Sequence, residues 1–310
     1  MVRLSSVTDG ARTPLYAKCE FMNPGGSIKD RIGLAMLEAA ERDGSLKPGG
    51  TIVEATGGNT GLALAMAASI KGYRCICTMP DKMSTEKAKL LRAFGAEVII
   101  TPTAVPPDHP DHYLQQARSI AAETPGAVMA DQFYNKANPD AHHDTTGREI
   151  WEQSDGRVTH FVASAGTGGT ITGVSRYLKA KNPSVRIIGI DPEGSMIAPF
   201  FNTGQMVEGR PYKVEGVGND KIPGALDLDT VDEYRTGEDG AAFRMARRLT
   251  REEGLFVGGS SGLLVNAAIE VTKELDDPDA FVVTLLPDWG ERYLSKAYDD
   301  DWMRDNGFLQ

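Results

Sequence analysis

Thr51-Ile52-Val53-Glu54-Ala55-Thr56-Gly57-Gly58-Asn59-Thr60-Gly61 sets a short run rich in Val and Ile against a loop of glycines and hydroxyls, and a helical pattern follows through Lys71. An apolar run of that length, closed by a turn signal, fits a strand buried on both faces. The plan recurs at Phe161-Val162-Ala163-Ser164-Ala165-Gly166-Thr167-Gly168-Gly169-Thr170. Working outward, buried strands are expected at 51–54, 74–79, 96–101, 161–163, 186–190 and 281–286. Helix-length patterns lie at 29–42, 61–71, 86–94, 113–123, 146–153, 170–181, 240–253 and 262–274. Such alternation predicts an α/β protein whose parallel sheets are flanked by helices. No repeat of fixed period and no low-complexity tract interrupts it. The chain has 310 residues, a length that buries roughly three quarters of the unfolded surface, enough for two lobes. A boundary is expected near 135–139, giving lobes 1–138 and 139–310, and the proline-rich stretch 101–110 reads as a surface loop.

The 33 Lys and Arg against 43 Asp and Glu leave a formal charge of −10, with both signs interspersed. That balance argues against a nucleic-acid surface, so an anionic substrate must find its counter-charges locally, at helix N-termini. Three cysteines occur, Cys19, Cys75 and Cys77. Cys75 and Cys77 lie two apart in an expected strand and so share one face as packing residues. No second Cys pair completes a zinc site, and no metal is expected. Three thiols without a disulfide framework fit a reducing cytoplasm. Met1-Val2-Arg3-Leu4-Ser5-Ser6 carries no signal-like apolar core. The apolar run ending at Ile70 is far too short for a membrane span. A soluble cytoplasmic protein with no membrane partner is expected.

Four glycine-rich segments carry the candidate chemistry. In Asn23-Pro24-Gly25-Gly26-Ser27-Ile28-Lys29-Asp30-Arg31 the small residues let backbone pass close to a planar ligand. Lys29 then opens a helix; its amine can form a Schiff base with an aldehyde cofactor and, once displaced, serve as a general base. The plain structural reading of Lys29 is a solvated helix-start residue. The loop from Gly166 to Thr170 lies between a strand and a helix, where backbone N–H groups and the helix dipole make a phosphate site. A tight strand-to-helix turn is the bland alternative. In the loop Thr56–Gly61 the N–H groups and the Thr56 and Thr60 hydroxyls suit an anion as small as an amino-acid carboxylate, and Asn59 offers the one amide for a ring oxygen. An ordinary helix cap is the competing reading. Ser260, in the turn Gly258-Gly259-Ser260-Ser261-Gly262 after a strand expected near 255–257, reads either as an N-cap or as a hydroxyl partner for a pyridine nitrogen. A hydroxyl leaves that nitrogen unprotonated and the ring a milder electron sink, which suits α,β-elimination. Amine, amide, phosphate cradle and hydroxyl together are the groups that pyridoxal phosphate needs.

Two rival readings are weaker. Gly166-Thr167-Gly168-Gly169-Thr170, with Asp191 ending the next strand, superficially resembles a dinucleotide loop for a nicotinamide oxidoreductase. Ile171 breaks the G-x-G-x-x-G fingerprint. His109 and His112, among Asp108, Asp111 and prolines, fit a mobile acidic loop better than metal ligands. His142-His143 reads as capping or packing the helix that follows. No G-x-S-x-G elbow supports a hydrolase triad.

The motifs and nearly the whole chain resemble the fold-type-II pyridoxal-phosphate enzymes of the cysteine synthase and cystathionine β-synthase group, and within it the cystathionine β-synthase catalytic core most. Further segments carrying the likeness are Ala17-Lys18-Cys19-Glu20-Phe21, Ala40-Glu41-Arg42-Asp43-Gly44, Gly72-Tyr73-Arg74-Cys75-Ile76, Asp191-Pro192-Glu193-Gly194-Ser195 and Asp301-Trp302-Met303-Arg304-Asp305-Asn306-Gly307-Phe308-Leu309. The resemblance implies a two-lobed, tryptophan-synthase-β-like α/β fold, a homodimer, and cofactor in the cleft between lobes. By it, Lys29 is the Schiff-base residue, Asn59 contacts the ring oxygen, and Gly166, Thr167, Gly168, Gly169 and Thr170 cradle the phosphate. Ser260 faces the pyridine nitrogen. Thr56, Gly57, Thr60 and Gln132 hold the substrate carboxylate, and Gly216 and Gly218 line the same cleft.

Departures from the pattern are specific. The family loop usually reads T-S-G-N-T-G after E-P; here Ala55 replaces the proline and Gly57 the serine, so one hydroxyl donor is lost. Asn219 stands where eukaryotic synthases tend to have tyrosine. The haem-binding extension and the paired regulatory domains have no counterpart, so control by haem or S-adenosylmethionine is not expected. The chain opens at Met1 where relatives already have preceding residues. The resemblance implies β-replacement on serine or O-acetylserine by a thiol, giving cystathionine from homocysteine. Cysteine synthesis from O-acetylserine and sulfide is the alternative. A non-catalytic protein using the fold for partner binding would be signalled by loss of Lys29 or Ser260, and both are present.

Overall fold

The computed structural model describes residues 1–83 and 85–309. Two compact units are formed, one by Asn23–Asn138 and the other by Met1–Met22 together with Pro139–Gln310.

The unit Asn23–Asn138 is built on an all-parallel sheet in the order Glu97–Thr101, Arg74–Pro80, Thr51–Ala55, Ala127–Met129. Thr51–Ala55 is buried at every residue, which is why its sequence does not alternate. Helix Tyr113–Glu123 packs Leu114, Ala117, Ile120 and Ala121 into a cluster with Val53, Ala55 and Ile76. Helices Lys29–Arg42 and Asn59–Lys71 approach closely at Gly33, where an added Cβ would lie 2.5 Å from the Ala63 Cβ.

The second unit carries a six-stranded sheet ordered Val2–Leu4, Leu15–Cys19, Val282–Leu286, His160–Ser164, Arg186–Pro192, Glu233–Gly237. Only the first pair is antiparallel. Helix Gly259–Leu275 lies against Asp239–Glu252; an added Cβ at Gly262 would sit 1.9 Å from the Ala242 carbonyl oxygen, so only glycine permits the contact. These parallel-dominated sheets with flanking helices are the α/β, fold-type-II architecture.

Several sequence expectations are corrected. A single cut would place residues 1–22 in the first lobe, yet Leu15–Cys19 pairs in parallel with Val282–Leu286. The Glu253 carboxylate accepts the N–H groups of Ser5, Ser6 and Val7 at 2.6–3.0 Å and fixes the same end. Pairing over that sequence distance leaves no local signal. The strand expected near 255–257 is a single bridge between Val257 and Trp289. The helix expected at 146–153 begins instead as a π-helix, His142–Gly147, and continues as Arg148–Gln153. Strands Leu15–Cys19, Ala127–Met129 and Glu233–Gly237 had no expectation against them. Among the described residues no helix is long and apolar enough to cross a membrane, and no cluster of three or more His, Cys, Asp or Glu is placed to hold a metal.

Candidate cofactor and substrate site

In the unit Asn23–Asn138 the Lys29 turn is locked from several directions. No side chain caps the helix at Ile28. Asp30 instead folds back to accept the Gly25 N–H, and the Lys29 N–H donates to the Ser27 hydroxyl at 3.2 Å. The Asn23 amide donates to the Ser27 carbonyl at 3.2 Å, and Gly26 takes φ +74°. These bonds fix the backbone at the first residue of the helix, from which the half-buried Lys29 amine projects.

The loop after Thr51–Ala55 is organised differently from an ordinary cap. The Gly58 N–H donates to the Thr56 hydroxyl at 3.2 Å, while helix Asn59–Lys71 begins at Gly58 with no side-chain cap. Its first-turn N–H groups have no acceptor within the helix. The buried Thr60 hydroxyl donates to Gln132 Oε1 at 2.6 Å, joining two predicted residues 72 positions apart. Gly57 lies against Met79: an added Cβ would come within 2.9 Å of the Met79 Cβ and 3.0 Å of its Cε. The methionine therefore fills the space that a serine side chain would take.

Sequence reasoning missed Glu54, whose carboxylate is 2 % exposed. It accepts the Asp131 N–H at 2.7 Å, and the Gln132 backbone N–H and side-chain amide lie beside it and favour its ionised form. Burial pushes this carboxyl up to about 7, against those groups. Asp131 itself adopts φ +49°, and the Asn138 amide donates to the Gln132 carbonyl at 2.8 Å. A carboxylate in an otherwise apolar strand was the only available signal.

In the other unit, Gly166, Gly216 and Gly218 are brought together. The Gly218 N–H donates to the Ala165 carbonyl at 2.8 Å, and an added Cβ at Gly166 would lie 2.4 Å from the Gly216 oxygen. Gly168 takes φ +87° with Leu226 2.4 Å from where its Cβ would be. The Asn219 amide donates to the Gly166 carbonyl at 3.3 Å, so the residue that departs from the family pattern braces this loop. Helix Gly169–Lys181 starts there with no side-chain cap. The Thr170 hydroxyl contacts Nε2 of the fully buried His142 at 3.1 Å, and His142 Nδ1 contacts the Thr146 hydroxyl at 2.9 Å. His142 thus does more than pack a helix: it links the π-helix to the glycine loop.

Ser260 is buried in the first turn of helix Gly259–Leu275, and the helix boundary is Gly258, so Ser260 is not its N-cap. An added Cβ at Gly258 would lie 2.3 Å from Asp288 Oδ1, which pins the turn that carries Ser260. The neighbouring Ser261 hydroxyl is buried and has no partner among the described residues. Asp191 is buried, accepts the Ala198 N–H at 2.9 Å, and is pushed up to about 6 by burial. One of its oxygens anchors the start of helix Ile197–Thr203. Cys75 and Cys77 are buried with their sulfurs 3.9 Å apart. His112 caps helix Tyr113–Glu123, and the His109 ring accepts the Asp111 N–H at 3.1 Å.

The uncapped start of Gly169–Lys181, the Thr167 and Thr170 hydroxyls and the close-packed backbone at Gly166 and Gly168 are donors of the kind a phosphate takes, and in the unit Asn23–Asn138 Lys29 carries an amine of the kind an aldehyde takes. Fold and donor set define an enzyme class that works through a cofactor carrying both groups. The comparisons agree: the family description "Pyridoxal-phosphate dependent enzyme" matches residues 1–288, and the chain belongs to that family. Along its whole length it is 49 % identical to cystathionine beta-synthase of Oryctolagus cuniculus, covering 56 % of that protein. It is 49 % identical to the Rattus norvegicus protein of that name, covering 55 % of it, and 44 % identical to that of Apis mellifera, covering 61 %. The chain therefore spans a little over half the length of the curated relatives it matches.

Proposed function

We propose that this chain catalyses pyridoxal-phosphate-dependent replacement of the β-substituent of serine or O-acetylserine by a thiol, with homocysteine as acceptor and cystathionine as product. Identity of 44–49 % over every residue, to proteins named cystathionine beta-synthase, carries this reading. In it Lys29 holds the aldehyde carbon, Asn59 the ring oxygen, and Gly166, Thr167, Gly168, Gly169 and Thr170 the phosphate, with the Ser260 hydroxyl toward the pyridine nitrogen. When bound, the cofactor supplies an electron sink for charge developing at the substrate α-carbon. Thr56, Gly57, Thr60 and Gln132 receive the substrate carboxylate, and Gly216 and Gly218 line the approach. The Lys29 amine, once the substrate amine displaces it, takes the α-proton at Nζ. A homodimer in the cytoplasm completes the proposal.

The test begins with the visible spectrum of the purified protein. A cofactor band that changes on adding L-serine or O-acetylserine supports the reading and shows which leaving group is accepted. Homocysteine and sulfide are then compared as acceptors; a strong preference for sulfide replaces cystathionine formation by cysteine synthesis. Lys29→Ala is expected to abolish turnover in a folded protein, and robust turnover by that variant excludes the mechanism.

A further inference from the structure

Thr60, Gln132 and Glu54 form one buried polar cluster within a single unit: Thr60 donates to Gln132 Oε1, the Asp131 N–H donates to Glu54, and the Gln132 amide lies beside that carboxylate; only the first two members were foreseeable. A glutamine amide can present either end to a neighbour, and its surroundings choose. Gln132 Oε1 accepts from Thr60, which leaves Nε2 as the end that meets the Glu54 carboxylate. Once ionised, above about 7, Glu54 only accepts and so holds the amide in that orientation. One Nε2 hydrogen is thereby used on Glu54, and the second remains to meet an anion. The opposite orientation would turn a carbonyl oxygen toward that anion and repel it.

The backbone supports the same arrangement. Asp131 sits at φ +49°, in the left-handed region that aspartate tolerates better than most residues. Its N–H goes to Glu54 at 2.7 Å and the next one in the chain lies beside the same carboxylate, so Glu54 fixes the turn that delivers Gln132. Glu54 comes from the buried central strand Thr51–Ala55, hydrogen-bonded on both sides, and cannot move to accommodate a change.

We propose that Glu54 is the positioning residue of the amino-acid carboxylate site, orienting the Gln132 amide so that it donates to the substrate carboxylate while Thr60 is held beside it. This rests on the reading that Thr60 and Gln132 receive that carboxylate. Glu54 itself touches neither substrate nor cofactor; its effect passes through Gln132 and so is specific to ligands bearing a free carboxylate.

The experiment titrates holoenzyme with L-serine and separately with L-serine methyl ester, following the cofactor absorbance, in wild type, Glu54→Gln, Glu54→Asp and Gln132→Ala. Glu54→Gln is expected to raise the half-saturating L-serine concentration about tenfold, the scale of one lost hydrogen bond to a charged group. The ester value should stay within about twofold, since an uncharged ester draws little on that donor. Combined with Gln132→Ala, the Glu54→Gln change should add nothing further, because coupled residues do not add. Glu54→Asp keeps the charge and carries the test if the glutamine variant does not fold, with a smaller shift of the same selectivity. Equal losses for serine and ester, or no loss for serine, overturn the proposal. A wild type that holds its cofactor yet responds to no amino acid overturns the carboxylate-site reading, and this inference with it.

Discussion

The two loops at Thr56–Gly61 and Gly166–Thr170 both follow a buried parallel strand and open a helix, yet they are ordered by opposite means. The Gly166 loop is made of backbone. Its glycines lie where no Cβ fits, against Gly216 and Leu226, and Thr170 is braced by the buried His142. The Thr56 loop is made of side chains. There Gly58 has open space, its nearest neighbour 3.8 Å from an added Cβ, and order comes from Thr60, Gln132 and Glu54. A backbone site is rigid and tolerates no added atom. A side-chain site keeps its shape through a network, which can be retuned at one member.

Alanine substitutions break the comparison most directly. Gly168→Ala must relieve both a left-handed φ and a 2.4 Å contact with Leu226, and should cost more than about 3 kcal/mol and release the cofactor. Gly58→Ala, at φ −104°, should cost no more than about 1 kcal/mol. Denaturant unfolding and cofactor retention measure both; similar losses would mean that the two loops do not differ as described.

Next in size is a pH effect confined to the side-chain site. In the folded protein Glu54 keeps its proton up to about 7, whereas the unfolded chain releases it at the ordinary value of 4.5. The folded state therefore loses stability as pH rises between those values, at about 1.4 kcal/mol per unit and about 3 kcal/mol in all. Above the folded value the loss is constant. Between pH 5 and pH 8 wild type should lose about 2–3 kcal/mol more than Glu54→Gln in unfolding curves, the contribution of Asp191 being common to both.

The smallest effect concerns Gly57. Restoring the serine usual in this family puts its Cβ 2.9 Å from that of Met79, and should destabilise by about 1–3 kcal/mol through overpacking. In a double-mutant cycle with Met79→Ala the serine should cost less than it does in wild type, because the Cε and Sδ contacts go while the Cβ contact stays. If Gly57→Ser alone is neutral by thermal unfolding, the carboxylate loop is slacker than its contacts indicate.

Local chemistry made much of this molecule legible without a structure. Buried strands read as continuous Val and Ile runs, and helices such as Lys29–Arg42 and Tyr113–Glu123 show their period within their own residues. Glycine-rich turns mark the Lys29, Thr56, Gly166 and Ser260 segments because the restrictions that favour glycine act on neighbouring atoms of the chain. Tertiary structure alone decided what depends on distant partners. It placed Leu15–Cys19 beside Val282–Leu286, since a strand's pairing edge carries no address in its own sequence. It reduced the expected strand at 255–257 to one bridge. It joined Thr60 to Gln132, the Asp131 N–H to Glu54, and Thr170 to His142, because a hydrogen bond between groups far apart in sequence exists only once the fold has brought them within 3 Å or so.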